Sequence, residues 1–113
     1  MRKRFRLTIA AALLAGCGTS SPVPASCSHG ADYCYDYPVS ATGALTLQAC
    51  VGVGGTGGQY QPGTCTGVDL VGTCTGSTNV LITGTLIRYY SPAYTAQSAW
   101  ETCSLVGGAF TPQ

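Results

Sequence analysis

A chain of 113 residues with a formal charge of +1 has room for one domain, and only 8% of it is Asp, Glu, Lys or Arg. Four of its five basic residues, Arg2, Lys3, Arg4 and Arg6, stand at the N-terminus. Beyond them Arg88 alone faces Asp32, Asp36, Asp69 and Glu101, so the rest carries about −3. That excludes the basic footprint of a nucleic-acid binder and any polybasic patch for anionic lipid, and it leaves hydroxyls and backbone to solvate the surface.

In chain order, the basic start is followed by an apolar run over residues 7–14 and then by small Ala15 and Gly16, which are the parts of an export signal. The apolar run falls well short of the ~20 residues that cross a bilayer. The motif Leu14-Ala15-Gly16-Cys17 resembles the lipobox of bacterial lipoproteins. That resemblance implies that residues 1–16 are removed and that Cys17 becomes the N-terminus, carrying an S-diacylglyceryl group and an N-linked acyl chain of the palmitate kind. Buried methylenes contribute about 0.8 kcal/mol each, and two chains anchor stably where one does not. The alternatives are an ordinary secretory signal, with Cys17 structural, or an uncleaved anchor. Gly18, in place of an acidic residue after Cys17, resembles the outer-membrane sorting pattern. The expected location is therefore the bacterial cell envelope, lipid-anchored, at the outer membrane where the organism has one.

Cysteine parity agrees. There are seven cysteines, and an odd one in an exported chain needs a reason. With Cys17 given to lipid, Cys27, Cys34, Cys50, Cys65, Cys74 and Cys103 remain as a disulfide framework. Three bridges at ~2–4 kcal/mol each would support a core that is marginal at this size, and they suit an oxidising compartment.

Residues 17–26 read as the lipidated N-terminus and a Ser/Thr/Pro linker, and residues 27–112 as a single cysteine-rich domain. Tyr33-Cys34-Tyr35-Asp36-Tyr37 alternates as a strand, with three tyrosines on one face and Cys34 and Asp36 on the other. Residues 41–50 are expected to be a short helix, although Leu45, Leu47 and Ala49 alternate like a strand. Residues 70–74 suggest a short strand. Residues 79–90, rich in β-branched and aromatic side chains, suggest a longer one, bulged at Gly84 and ended by Pro92. Thr95 is an N-cap candidate, and Ala96, Ala99, Trp100, Cys103 and Val106 recur at helical spacing on one expected buried stripe, stopped by Gly107. A last strand follows Gly107-Gly108. The expected fold class is α+β: a small disulfide-rich domain of short antiparallel strands with one or two short helices.

A tandem pseudo-repeat runs through it. Cys27, Cys34, Tyr37-Pro38, Ser40-Ala41, Cys50 and Gly57-Gly58-Gln59-Tyr60-Gln61-Pro62 are answered by Cys65, Cys74, Tyr90-Ser91-Pro92, Thr95-Ala96, Cys103 and Gly107-Gly108-Ala109-Phe110-Thr111-Pro112. Three cysteines in each half force at least one bridge between the halves. If the halves are equivalent, with one internal bridge each, the pairs are Cys34–Cys50, Cys74–Cys103 and Cys27–Cys65.

Candidate chemistry is sparse. The stretch Gly52-Val53-Gly54-Gly55-Thr56-Gly57 spells G-x-G-x-x-G without the strand, helix and acidic residue that a dinucleotide site needs, so it reads as an exposed loop. A lone His29 and no C-x-x-C pair argue for disulfides over metal, and no cofactor is indicated. His29 with Asp32 at i, i+3 is an acid–base pair or a solvated turn, and Asp36 with Glu101 is the one carboxylate pair that strand-on-helix packing would bring together. No G-x-S-x-G elbow is present. Seven tyrosines are many for so small a domain; they either fill the core or form a binding face, for which Tyr33, Tyr35, Tyr37 and Tyr60 are the candidates. Residues 27–112 resemble small six-cysteine bacterial lipoproteins, a class that brings no activity with it. The expectation is a non-enzymatic, membrane-anchored surface or periplasmic binding module with an envelope protein or polymer as partner, the alternative being a small envelope-polymer hydrolase or enzyme inhibitor.

Overall fold

The computed structural model describes residues 24–52, 55 and 57–113. The lipobox and Cys17, the signal segment and most of the linker lie outside the described residues, as do three residues of the G-x-G-x-x-G stretch.

The domain is α+β. Strands β1 (Ala25–His29), β2 (Tyr33–Asp36), β3 (Gln59–Pro62), β4 (Leu70–Thr75), β5 (Leu86–Tyr90) and β6 (Ala109–Pro112) form one antiparallel sheet in the order β3-β1-β2-β5-β4-β6. Helix α1 (Gly43–Cys50) lies between β2 and β3, and α2 (Ala96–Leu105) between β5 and β6. Each half is thus a β-β-α-β unit whose strands have the same internal order, and the two units meet at β2 and β5. The register makes this two-fold relation explicit. Cys27 pairs with Tyr35, Cys74 pairs with Ile87, and Tyr35 pairs with Ile87. A local two-fold axis between Tyr35 and Ile87 therefore relates Cys27 to Cys74, Tyr37 to Tyr89 and Asp36 to Arg88.

The helices start by the same device. Thr42 caps α1 and Thr95 caps α2, each accepting from the N–H three residues on. Gly107 leaves α2 at φ 75°, and Gly57, seven residues beyond the end of α1, takes φ 74°, and a Cβ would be strained at both. At the next residues, Gly58 and Gly108, a Cβ would overlap the Sγ of Cys27 and of Cys74 respectively. Bare backbone is what lets the chain pass over each bridge.

Both helices cover one face of the sheet. There Ala25, Cys27, Tyr37, Ala49 and Cys50 form one buried cluster, and Cys74, Ile87, Tyr89, Ala99 and Cys103 form the other. The outer face is crossed by the segment between β3 and β4, which carries Cys65 and buries Cys34 and Tyr90 beneath it.

The bridges are Cys27–Cys50, Cys34–Cys65 and Cys74–Cys103. The Cys74–Cys103 expectation holds, and so does the single bridge between halves. The pairs Cys34–Cys50 and Cys27–Cys65 do not. Cys34 alternates with Tyr33 and Tyr35 and so points away from the helices, whereas Cys27 faces α1. The true counterpart of Cys27 is Cys74, and Cys34 and Cys65 have no counterparts.

Three further expectations change. Of residues 79–90 only Leu86–Tyr90 is strand. Residues 76–85 are held in turns, by Ser77 Oγ accepting from the Asn79 N–H and by Thr85 Oγ1 donating to the Ile82 carbonyl, which divert backbone groups from a ladder. Gly84 sits in that loop with φ 93°, and the sheet's irregularity falls instead between Leu70 and Gly72. On α2 the buried stripe is Ala99 and Cys103 alone, while Ala96 is exposed in the first turn and Trp100, one step off the stripe, is 53% exposed.

Candidate functional site

The helices do not close over the middle of the sheet, and between them lies an open cleft of about 180 Å³. Its walls are Tyr33 and Tyr35 of β2, Tyr89 of β5 and Tyr94 from the turn before α2. Asn79 and Thr102 add an amide and a hydroxyl, with Ile87 and Val106 as the aliphatic part. Alternation in β2 and β5 places Tyr33, Tyr35, Ile87 and Tyr89 on this face.

The rings are packed at angles to one another. Tyr89 and Tyr94 have centroids 4.7 Å apart at 58°, and Tyr33 and Tyr35 are 5.7 Å apart at 50°. His29 stacks on Tyr33 at 4.4 Å and so buttresses the cleft wall from outside. Burial, and after it the neighbouring phenols, raises the Tyr35 hydroxyl above the usual tyrosine value and pushes Tyr89 up to about 12, and Tyr94 is raised by burial, by Tyr33 and by the nearby Asp32 carboxylate. Burial pushes His29 down. At neutral pH the cleft therefore presents neutral phenols beside a neutral imidazole. None of the Tyr33, Tyr35, Tyr89 and Tyr94 hydroxyls hydrogen-bonds to another described residue, which leaves each able to donate one bond and accept others.

The four tyrosines expected to form a binding face separate into two groups. Tyr33 and Tyr35 line the cleft. Tyr37 is buried in the first cluster, its hydroxyl without a partner and pushed up to about 12, and Tyr60 packs beside it with its hydroxyl 2.9 Å from Thr46 Oγ1. Tyr89, Tyr94, Asn79 and Thr102 were not singled out by the sequence. The readable signal for Tyr89 is its alternation with Arg88 on β5; Tyr94, Asn79 and Thr102 come from separate segments and carry none.

Acid and base groups do not gather there. Among the described residues lining the cleft there is no carboxylate or imidazole. His29 and Asp32 flank the β1–β2 turn, joined by a backbone bond from the Asp32 N–H to the His29 carbonyl. Asp36 and Glu101 do not face each other: Asp36 lies on the face opposite the helices, where its carboxylate accepts from Arg88 and from the Cys65 N–H, and Glu101 is exposed on α2.

Two larger hollows have less to offer a ligand. One of about 400 Å³ lies on the outer face beside Cys34, Thr66 and Asp69, and one of about 640 Å³ lies within residues 75–86, walled mainly by short Thr, Ser and Gly residues. No helix among the described residues is long and apolar enough to cross a membrane. Comparison of this chain with protein-family models, with curated proteins and with solved structures found no match.

Proposed function

We propose that this chain is a membrane-anchored lipoprotein of the bacterial envelope whose domain is a binding module rather than an enzyme, with the tyrosine cleft as its ligand site. One observation carries the binding role: four aromatic walls converge on an open cleft while their hydroxyls are left unbonded, in a domain that otherwise pairs its buried polar groups with few exceptions. Tyrosine serves such a surface well, since it offers rigid area and a polar tip at little cost in side-chain entropy. The anchoring role is supported by the Leu14-Ala15-Gly16-Cys17 motif and by six of the seven cysteines being spent on bridges, which leaves Cys17 for another use.

Intact mass spectrometry of the native, unreduced protein tests the anchored form. The expected mass starts at Cys17, includes the diacylglyceryl and N-acyl groups, and lacks six protons. An unacylated chain with a free thiol would overturn it.

A further inference from the structure

The two-fold relation that generates the cleft also predicts a twin, and the twin is filled. The counterparts of Tyr89 and Thr102 are Tyr37 and Ala49, and over these two lies Ile82 of the β4–β5 loop, packed into the first cluster with Leu81 beside it. The corresponding connection in the first half, between β1 and β2, is only the three residues 30–32, and none of them lines the open seat. One seat therefore carries an aliphatic plug from its own chain, and the other stands open.

The lining differs in the same sense. Where the filled seat has Thr85, Ala41 and Ala49, the open one has Tyr33, Tyr94 and Thr102. Each exchange adds a hydroxyl, an aromatic ring or both, and none adds a charge. Building on the binding-module reading above, we infer that the open seat takes one uncharged sugar ring of a longer envelope glycan. The angled tyrosine rings offer aromatic faces to the C–H side of a pyranose. The unbonded phenols, with Asn79 and Thr102, offer donors and acceptors to its hydroxyls. A phosphate, carboxylate or acidic peptide would find no cation, since Arg88, the one Lys or Arg side chain among the described residues, is tied to Asp36 on the other face. At about 180 Å³ the cleft is smaller than the ~300–1,000 Å³ of a site that swallows a whole small molecule, so it seats one unit and leaves the rest of the polymer in solvent.

Saturation-transfer NMR on the full lipidated protein in a polyoxyethylene detergent tests this. The aromatic protons are irradiated, and the methyl pyranosides of glucose, galactose, mannose and N-acetylglucosamine serve as probes, with tetramethylammonium alongside. Saturation is expected at ring C–H protons of at least one pyranoside. It should fall at least tenfold in Tyr94→Ala and in Thr102→Leu, which mimics the plug, fall severalfold in Tyr94→Phe, and stay unchanged in Trp100→Ala on the exposed side of α2. Folding of each variant is checked by its three intact bridges. If only tetramethylammonium gives a signal, and Tyr94→Ala abolishes it, the sugar assignment is overturned while the binding-module reading stands. If no probe gives a signal that depends on Tyr94, both fall.

Discussion

The two β-β-α-β halves solve the same structural problem with the same parts and then diverge in what they leave uncovered. In each, a strand cysteine is bridged to the last residue or turn of a helix, a threonine caps that helix, and a Gly-Gly pair carries the chain back over the bridge. The first half closes its core by borrowing Ile82 from the second. The second half receives Tyr33 and Tyr35 along its flank but no plug, and its cleft stays open. At the axis between them Asp36 and Arg88 occupy equivalent positions with opposite charge, so a contact that identical residues would make repulsive becomes an ion pair on the outer face. Shared scaffold and unequal covering are therefore separable, and the separation can be attacked experimentally.

The strongest attack is on the bridges. The double replacements Cys27→Ala with Cys50→Ala, and Cys74→Ala with Cys103→Ala, open loops of similar sequence separation, 23 and 29 residues, at cysteines that are all fully buried. Each should cost about 3 kcal/mol in chemical denaturation. A difference between them well beyond 1 kcal/mol would show that the halves are not equivalent in stability.

A smaller effect separates Tyr37 from its counterpart Tyr89. Burial holds both phenols up to about 12, against 10 in the unfolded chain. The folded state keeps a proton that the unfolded state has released, so the stability involved is complete below pH 10 and is lost as pH rises from about 10 to about 12. Denaturation curves at pH 8, 10 and 11 should show this loss, and Tyr37→Phe or Tyr89→Phe should each remove its own share of it. At pH 8 the two variants should part company. Tyr37→Phe should stabilise by about 1 kcal/mol because it deletes a buried hydroxyl with no partner, whereas Tyr89→Phe, whose hydroxyl opens on the cleft, should be close to neutral.

The smallest difference lies at the caps. Thr42→Ala and Thr95→Ala should each cost about 1 kcal/mol. Thr95 should cost more, since Ser98 Oγ returns a bond by accepting from the Thr95 N–H at 2.9 Å, and Thr42 has no such reciprocal partner among the described residues. Hydrogen exchange at the Leu45 and Ser98 amides reads each cap directly.

What was legible beforehand was local. Alternation over Tyr33 to Tyr37 revealed β2 and its two faces, and Thr95 with Gly107 bounded α2, because the cap and stop chemistry is written in single residues. The cysteine pairing was not legible from order alone. It depends on which face of β2 and of β1 turns toward the helices, a choice made by tertiary packing. The β-branched run at residues 79–85 was misleading because side-chain hydroxyls there bond the backbone and override composition. The cleft was only half visible: Tyr33 and Tyr35 share a strand, but its other walls come from β5, a loop, a turn and a helix that only the folded chain brings together.

The sheet ends at β3 on one side and at β6 on the other, each four residues long and each finishing in an exposed proline, Pro62 and Pro112. A proline has no N–H to offer a neighbour, and so short a margin gives an incoming strand little to zip onto. For a protein confined by acyl chains to a plane, as proposed here, collisions with its own copies are constant and similarly oriented. Blunted margins of this kind let such a crowded layer stay a population of separate molecules instead of growing into ribbons.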